Sequence, residues 1–200
     1  MIVIIDYDAG NLMSIRNALA RLGAEVKVSR RKIDIERSSA LILPGVGAFE
    51  CMKKIKPIQR TIINEIKQGK PFLGLCLGLQ LLFESSEESP GVKGLGIFDG
   101  EVKKLPNKDG FKVPHLGWNS IKIARKCELL DGIPHGAYFY FANSYVAKPL
   151  DRRIIAATST YGTEFASVIC KENIFATQFH PEKSGEVGLR MLRNFVELVS

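Results

Sequence analysis

Histidine and cysteine are scarce in this chain of 200 residues, which holds three histidines and four cysteines. The cysteines are Cys51, Cys76, Cys127 and Cys170. They form no Cys-x-x-Cys pair, and no histidine stands at ligand spacing from any of them. Close pairs of that kind are the usual sequence mark of a zinc site. We therefore expect no metal site and no bound cofactor.

Long apolar stretches are also missing, since no run approaches the roughly 18 residues that a membrane-spanning helix needs. Residues 1–6 lack the basic start and the small-residue cleavage site of a secretory leader, and they are typical of a first strand instead. The sequence thus predicts a cytoplasmic protein with no membrane partner. In that reducing compartment we expect no disulfide framework.

A concentrated block of basic residues is absent, although the net charge is +7. The lysines and arginines are dispersed in pairs and triplets, and neither an aromatic platform nor a known nucleic-acid motif accompanies them. We expect a solvated basic surface and no nucleic-acid partner, with a docking face for an acidic protein as the second interpretation.

The chain has enough apolar residues, 46% of the total, to build one well-packed core. Its first 90 residues alternate strand and helix patterns, which predicts a parallel sheet covered on both faces. Predicted strands lie at 2–6, 25–28, 40–43 and 72–75, and predicted helices at 11–23 and 57–68. Later segments are rich in strand formers, at 100–105, 119–123, 137–142, 153–158, 166–170 and 174–177, and a helix closes the chain at 185–199. We expect a single α/β domain over residues 1–200, with antiparallel strands added in the second half.

The most informative stretch is a strand, a sharp turn and a predicted helix at 77–84, with the turn reading Gly74-x-Cys76-x-Gly78. This is the layout of a nucleophile elbow, in which a helix N-terminus and free backbone N–H groups favour a thiolate. Glycines suit a turn too tight for side chains. The alternative is a buried structural cysteine flanked by packing glycines.

A cysteine nucleophile needs a base, and the base needs a group that orients it. His180 and Glu182 follow the predicted strand at 174–177, and Pro181 disfavours helical geometry at His180. In an extended chain, residues two apart face the same side, which predicts a Cys76–His180–Glu182 triad. The alternative for a histidine beside proline is a strand cap facing solvent.

An oxyanion hole requires two N–H donors. Leu77 supplies one in this hypothesis, because it follows the nucleophile directly. The glycine-rich loop Gly45-Val46-Gly47, at the end of the preceding strand, supplies the second through Val46 or Gly47. Such loops are often simple turns.

Three motifs in this order resemble those of the class I (triad) glutamine amidotransferases. They are Pro44-Gly45-Val46-Gly47, Gly74-Leu75-Cys76-Leu77-Gly78-x-Gln80 and Gln178-Phe179-His180-Pro181-Glu182. The resemblance implies a flavodoxin-like three-layer fold with a central, mostly parallel sheet. It also implies glutamine hydrolysis through a cysteine thioester. The implied substrate-binding positions are Gly47, Gln80, Glu88, Asn143, Ser144 and Tyr145.

Residues 114–119, residues 6–11 and Lys183 resemble one branch of that family, the glutaminase subunits of imidazole glycerol phosphate synthase in histidine biosynthesis. The resemblance implies a heterodimer with a synthase (cyclase) subunit of the (β/α)₈ barrel type, which receives ammonia. The implied partner-facing residues are Ala9, Gly10, Asn11, Trp118 and Lys183. We expect Trp118 to lie in a loop because glycine precedes it.

Two positions depart from the branch pattern. Asp8 stands where glycine is usual, which could provide a carboxylate for a cation of the partner. Asn143 stands where histidine is usual, which leaves His180 as the base. Other interpretations remain: a glutaminase for a pyridoxal phosphate or anthranilate system, a cysteine peptidase or γ-glutamyl hydrolase, or a non-catalytic binding subunit of the same fold.

Overall fold

The computed structural model describes residues 1–108 and 110–199. The strands in these ranges are β1 (Ile2–Ile5), β2 (Val26–Ser29), β3 (Ala40–Leu43), β4 (Phe72–Leu75), β5 (Ser85–Ser86), β6 (Gly100–Lys104), β7 (His115–Ser120), β8 (Lys122–Ile123), β9 (Tyr138–Asn143), β10 (Tyr145–Pro149), β11 (Ile155–Thr160), β12 (Glu164–Lys171) and β13 (Ile174–Thr177). The α-helices are α1 (Leu12–Arg21), α2 (Lys32–Arg37), α3 (Met52–Ile55), α4 (Gln59–Lys67), α5 (Leu77–Gln80) and α6 (Gly185–Leu198).

The main sheet has eight strands in the order β2-β1-β3-β4-β13-β12-β11-β8. Strands β2, β1, β3, β4 and β13 run parallel, whereas β12, β11 and β8 continue the sheet in antiparallel pairing. The predicted α/β fold with added antiparallel strands is confirmed. Because β4 and β13 are parallel neighbours, the turns that follow them meet at one edge of the sheet.

Successive residues of a strand face opposite sides of the sheet, and two cores follow from this alternation. Ile2 and Ile4 of β1 enter the core that α1 and α6 cover, while Val3 and Ile5 enter the core beneath α2, α3 and α4. The result is the expected helix–sheet–helix layering. Among the described residues, no helix is both long and apolar enough to cross a membrane.

Two small sheets lie beside the main one, in the order β10-β6-β5 and as the antiparallel pair β7-β9. The second pair corrects one prediction. Trp118 lies within β7, opposite Tyr140 of β9, and not in a loop. Its side chain is nonetheless 55% exposed.

The helix predicted at 77–84 ends at Gln80. The carbonyl of Leu81 accepts from the Leu95 N–H at 2.7 Å, and that of Leu82 accepts from the Ile97 N–H at 2.9 Å. Since these carbonyls are paired with a distant segment, they are not available to the i+4 amides that would extend the helix. The sequence pattern also missed α2, α3, β5 and β10.

Candidate active site

The elbow around Cys76 has the predicted geometry. Cys76 follows β4 with φ of 53° and ψ of −106°, a conformation that turns the chain sharply into α5. A Cβ on Gly74 would lie 2.8 Å from the Gly78 carbonyl oxygen, and one on Gly78 would lie 1.9 Å from the Leu43 carbonyl oxygen. Side chains are therefore excluded on both sides of the cysteine.

The helix that follows Cys76 is only one turn long, so its dipole contributes less than we expected. The local N–H groups at the start of α5 remain beside the sulfur. Gln178, which the sequence analysis named only as part of a motif, adds a donor: its Nε2 lies 3.7 Å from the Cys76 Sγ. Gln178 is completely buried.

The histidine and the cysteine are held together by neighbouring strands. The Cys76 N–H donates to the Thr177 carbonyl at 2.7 Å, which continues the β4–β13 ladder to the end of both strands. The His180 imidazole lies close enough to the Cys76 thiol for the two groups to interact electrostatically, and both line the same cavity. The two side chains therefore meet at the carboxyl edge of the sheet, as the sequence predicted.

The contact between His180 and Glu182 is also present, but for a different reason than the one we expected. His180 itself is extended, whereas residues Pro181–Lys183 form one turn of 3₁₀-helix. The turn brings Glu182 Oε1 to 2.9 Å from His180 Nδ1. This leaves Nε2 as the nitrogen that faces the cysteine.

Charge around His180 decides its protonation. Burial opposes the imidazolium, but the hydrogen bonds and charges of Cys76 and Glu182 outweigh it and raise the pKa of His180 to about 10. His180 is thus a cation at neutral pH, and its charge lies beside the Cys76 sulfur. The side chain of Glu182 is almost fully buried.

Ser184 fixes the backbone of His180, a role that the sequence did not indicate. The Ser184 hydroxyl donates to the His180 carbonyl at 2.6 Å and accepts from the Tyr140 N–H at 3.0 Å. The His180 N–H donates in turn to the Tyr140 carbonyl at 2.9 Å. Strand β9 and the start of α6 therefore clamp the base from two directions.

A cavity of about 300 Å³ opens above Cys76 and His180. It is lined by Val46, Gly47, Cys76, Leu77, Gln80, Glu88, Pro114, Leu116, Ala142, Asn143, Ser144, Tyr145, His180 and Lys183. Every position predicted for the oxyanion hole or for substrate contributes to this lining. Its volume is at the lower end of small-molecule pockets, about 300–1,000 Å³.

Several polar groups in and beside the cavity are already hydrogen-bonded to one another. Gln80 Nε2 donates to the Tyr145 carbonyl at 2.9 Å and to Gln178 Oε1 at 3.2 Å. Gln80 thus orients Gln178, in addition to lining the pocket as predicted. Asn143 Nδ2 donates to the same Tyr145 carbonyl at 3.1 Å, while its buried Oδ1 has no partner among the described residues. That oxygen is free to accept a hydrogen bond from a ligand.

Glu88 also lines the cavity and is only half-buried. Its Oε2 accepts from the Phe49 N–H at 2.7 Å, which ties it to the segment after the glycine-rich loop. A carboxylate at this position suits a ligand ammonium group.

The loop Pro44–Gly47 packs directly on the start of α5. A Cβ on Gly45 would lie 2.4 Å from the Leu77 Cβ, and Gly47 has φ of 106°. The buried Tyr7 hydroxyl donates to the Pro44 carbonyl. Burial, together with Cys51 and Cys76 nearby, raises the pKa of Tyr7, so this hydroxyl keeps its proton.

Of the residues predicted to meet a partner, Lys183 lines this cavity. Its Nζ lies 5.9 Å from the centre of the Tyr140 ring, which also contacts Trp118 edge-on. A Cβ on Gly10 would lie 3.3 Å from the Cβ of Pro44, which begins the glycine-rich loop. Ala9, Asn11 and Trp118 do not line the cavity itself.

Two residues near the N-terminus, Asp8 and Asn11, form contacts within the chain. Asn11 Oδ1 accepts from the Ser14 N–H at 3.4 Å and caps α1. Asp8 is exposed and forms an ion pair with Arg30, which lowers the pKa of the Asp8 carboxyl. The carboxylate that we expected to be open to a partner cation thus already has a partner.

Comparison with known proteins agrees with the geometry. The family model described as Glutamine amidotransferase class-I matches residues 3–199. Imidazole glycerol phosphate synthase subunit HisH of Methanocaldococcus jannaschii is 50% identical over 200 residues, all of both chains. The subunit of the same name from Methanothermobacter thermautotrophicus is 50% identical, with 100% of this chain and 99% of that protein covered.

A solved structure described as a glutamine amidotransferase superposes with a TM-score of 0.76 at 23% identity, covering 98% of each chain. At that identity the likeness shows the fold alone. The sequence match and the fold agree, and this chain belongs to the class-I glutamine amidotransferase family.

Proposed function

We propose that this chain is the glutaminase subunit of an imidazole glycerol phosphate synthase, the enzyme named by its full-length relatives. It hydrolyses glutamine to glutamate and ammonia. The observation that carries the proposal is the arrangement of Cys76 beside His180 in the lining of a small cavity, with Glu182 hydrogen-bonded to the imidazole behind it. The resemblance noted above adds the destination of the ammonia, a synthase subunit that makes imidazole glycerol phosphate and aminoimidazole carboxamide ribonucleotide.

The first half-reaction follows from the charges. The Cys76 thiolate attacks the side-chain carboxamide carbon of glutamine, and negative charge develops on the carboxamide oxygen. The Leu77 N–H and an N–H of the Val46–Gly47 segment stabilise this oxyanion. His180 then donates its proton to the amide nitrogen, the C–N bond breaks, and ammonia leaves a γ-glutamyl thioester on Cys76.

The second half-reaction reuses the same base. His180, now neutral, takes a proton from water, which attacks the thioester carbonyl and releases glutamate with regeneration of the thiolate. Glu182 holds the imidazole by its Nδ1 and stabilises the imidazolium. Glu88 suits the α-ammonium group of glutamine, and the unpaired Asn143 Oδ1 suits an N–H donor of the substrate.

Replacement of the nucleophile tests the assignment. Cys76→Ala should lower glutamate release by at least about a thousandfold while the far-ultraviolet circular dichroism stays unchanged, because no other group supplies the nucleophile. Cys51→Ala is a matched control, since the Cys51 thiol is near Gly47 but has no place in the chemistry. Equal losses in both variants, or retained activity in Cys76→Ala, would refute the mechanism.

The partner is part of the proposal. We infer that a (β/α)₈ barrel synthase subunit docks over the cavity mouth as a heterodimer in the cytoplasm. Exposed Lys183 lines that cavity, exposed Trp118 contacts the same Tyr140 ring as Lys183, and Gly10 packs on Pro44 next to the glycine-rich loop. A partner that covers these residues would lie where ammonia emerges.

Lys183→Ala should weaken the stimulation of glutaminase activity by the partner and its ligand, with a smaller effect on basal activity. Lys122→Ala, on the edge strand β8, is the matched control. Asn11→Ala should weaken stimulation too, but its cap on α1 adds about 1 kcal/mol of lost stability, so unfolding must be measured alongside. The measurement is glutamate release by each variant and by the wild type, with and without the partner and its ligand. Equal stimulation of Lys183→Ala and wild type would contradict this docking face.

A further inference from the structure

Two of the remaining cysteines come together far from the catalytic edge. Cys170 lies near the end of β12, opposite Phe175 at the start of β13, whereas His180 follows the far end of β13. Cys127 precedes a turn of 3₁₀-helix that packs beneath α6. Cys127 and Cys170 are too far apart in the chain for local spacing to identify them as a pair.

Glu128 completes a group of three candidate ligands. The sulfur atoms of Cys127 and Cys170 and a carboxylate oxygen of Glu128 all lie within 4.8 Å of one another. Glu128 Oε2 is 4.0 Å from Cys170 Sγ, and the two sulfur atoms lie within 4.8 Å of each other. Such separations are close to the ligand–ligand distances around one tetrahedral ion, about 3.5–4 Å for bonds of 2.0–2.3 Å.

The donor set defines the class of ion. Two thiolates and one carboxylate suit a thiophilic, d¹⁰ divalent cation such as Zn²⁺, whereas Mg²⁺ and Ca²⁺ prefer oxygen alone. Cys127 and Glu128 also line a cavity of about 430 Å³. A water molecule entering from that cavity would supply the fourth ligand.

Arg125 balances the charge. Three anionic ligands exceed a divalent cation by one negative charge. The Arg125 guanidinium donates to the Cys170 main-chain carbonyl and interacts with the Cys170 sulfur, while its buried Nε has no partner among the described residues. One arginine therefore makes the metal-bound group neutral overall.

We propose that Cys127, Glu128 and Cys170 form a structural zinc site. Binding releases the two thiol protons to solvent and joins the segment before α6 to strand β12. Asn194 of α6 already holds this segment, with Nδ2 donating to the Leu129 carbonyl at 3.0 Å and to the Asp131 carbonyl at 2.7 Å. The metal would thus stabilise a region that is preformed without it.

Cobalt titration tests the site with a spectroscopic signature. The whole chain, kept reduced with a non-thiol reductant, should bind one Co²⁺, with a thiolate charge-transfer band and tetrahedral d–d bands that Zn²⁺ abolishes. Cys51→Ala and Cys76→Ala should keep these bands, and the second variant excludes metal held by the catalytic cysteine. Cys127→Ser and Cys170→Ser should lose them, and Glu128→Gln should weaken binding at least about tenfold.

Glu128→Gln changes an exposed side chain, so it keeps the test valid if the buried cysteine variants fail to fold. Zn²⁺ should raise the Tm of wild type more than that of Glu128→Gln. The proposal is overturned if the bands persist in Cys127→Ser and Cys170→Ser, or vanish in Cys76→Ala. It is also overturned if no bands appear with millimolar cobalt. The same holds if mass analysis finds Cys127 and Cys170 still disulfide-bonded after treatment with the reductant.

Discussion

Tyr7→Phe removes one oxygen atom and isolates the link between the N-terminal turn and the loop Pro44–Gly47. The Tyr7 hydroxyl donates to the Pro44 carbonyl, and both residues are buried. Gly45, the next residue, packs against Leu77, whose N–H belongs to the proposed oxyanion hole. Loss of the hydroxyl therefore leaves a buried carbonyl unpaired at the start of the loop that shapes the site.

A buried acceptor without a partner costs about 1–3 kcal/mol. Part of this cost appears as lower stability and part as freedom of the loop to leave the arrangement that stabilises the oxyanion. If about 1.4 kcal/mol falls on the active arrangement, kcat drops about tenfold. KM should change less, because the side chains proposed to bind substrate, such as Glu88 and Asn143, are untouched.

The assay is glutamate release by the isolated chain and by its complex with the synthase subunit, together with urea unfolding. Tyr161→Phe is the matched control, since the Tyr161 hydroxyl also donates to a main-chain carbonyl, that of Lys112, at 2.8 Å, but outside the cavity. A Tyr7→Phe variant that loses stability yet keeps the wild-type kcat would show that the bond is structural only. An equal loss of kcat in Tyr161→Phe would refute the reasoning as well.

Two further predictions follow from protonation. Glu182→Gln removes a carboxylate that helps to raise the pKa of His180 to about 10, so the basic limb of kcat/KM should move to lower pH than in wild type; an unmoved limb would contradict the assigned role. His115 is buried between the rings of Phe141 and Tyr161, and burial lowers its pKa from 6.5 to about 4. As the pH falls, His115 binds a proton at a higher pH in the unfolded chain than in the folded one. The free energy of unfolding should therefore fall as the pH drops from 6.5 towards 4, by at most about 3 kcal/mol. His115→Phe should show a smaller loss in urea unfolding across that window.

The sequence predicted where Cys76 and His180 lie because steric and topological rules act locally at that edge of the sheet. Glycines on both sides of Cys76 mark a turn that excludes side chains, and a buried strand before His180 places it at a sheet end. The predicted contact between Glu182 and His180 is present, but the extended backbone that we expected to produce it is not, because residues Pro181–Lys183 form a 3₁₀ turn. The 3₁₀ turn depends on a hydrogen bond from the Lys183 N–H to the His180 carbonyl, at 3.0 Å, which no periodicity reveals.

Other features depend on contacts between distant segments, and the sequence could not show them. Helix α5 stops where residues 94–98 bind the carbonyls that would continue it. Trp118 joins a strand because β9 pairs with it. The Gln80–Gln178 bond spans 98 positions, and the contact of Cys127 with Cys170 likewise requires the folded sheet.

The hydrogen bond from the Cys76 N–H to the Thr177 carbonyl has a consequence for how such an enzyme can be regulated. It ties the backbone of the proposed nucleophile to strand β13, which leads to the proposed base, so the pairing of β4 with β13 holds the two backbone positions together. A regulator has little opportunity to separate the pair without unfolding the core. Control must then act on what surrounds the pair, by admitting substrate, shaping the oxyanion loop or opening the exit for ammonia. Cys76 and His180 stay together in the folded chain, so a regulator would act on the residues around them that control the entry of substrate and the exit of ammonia.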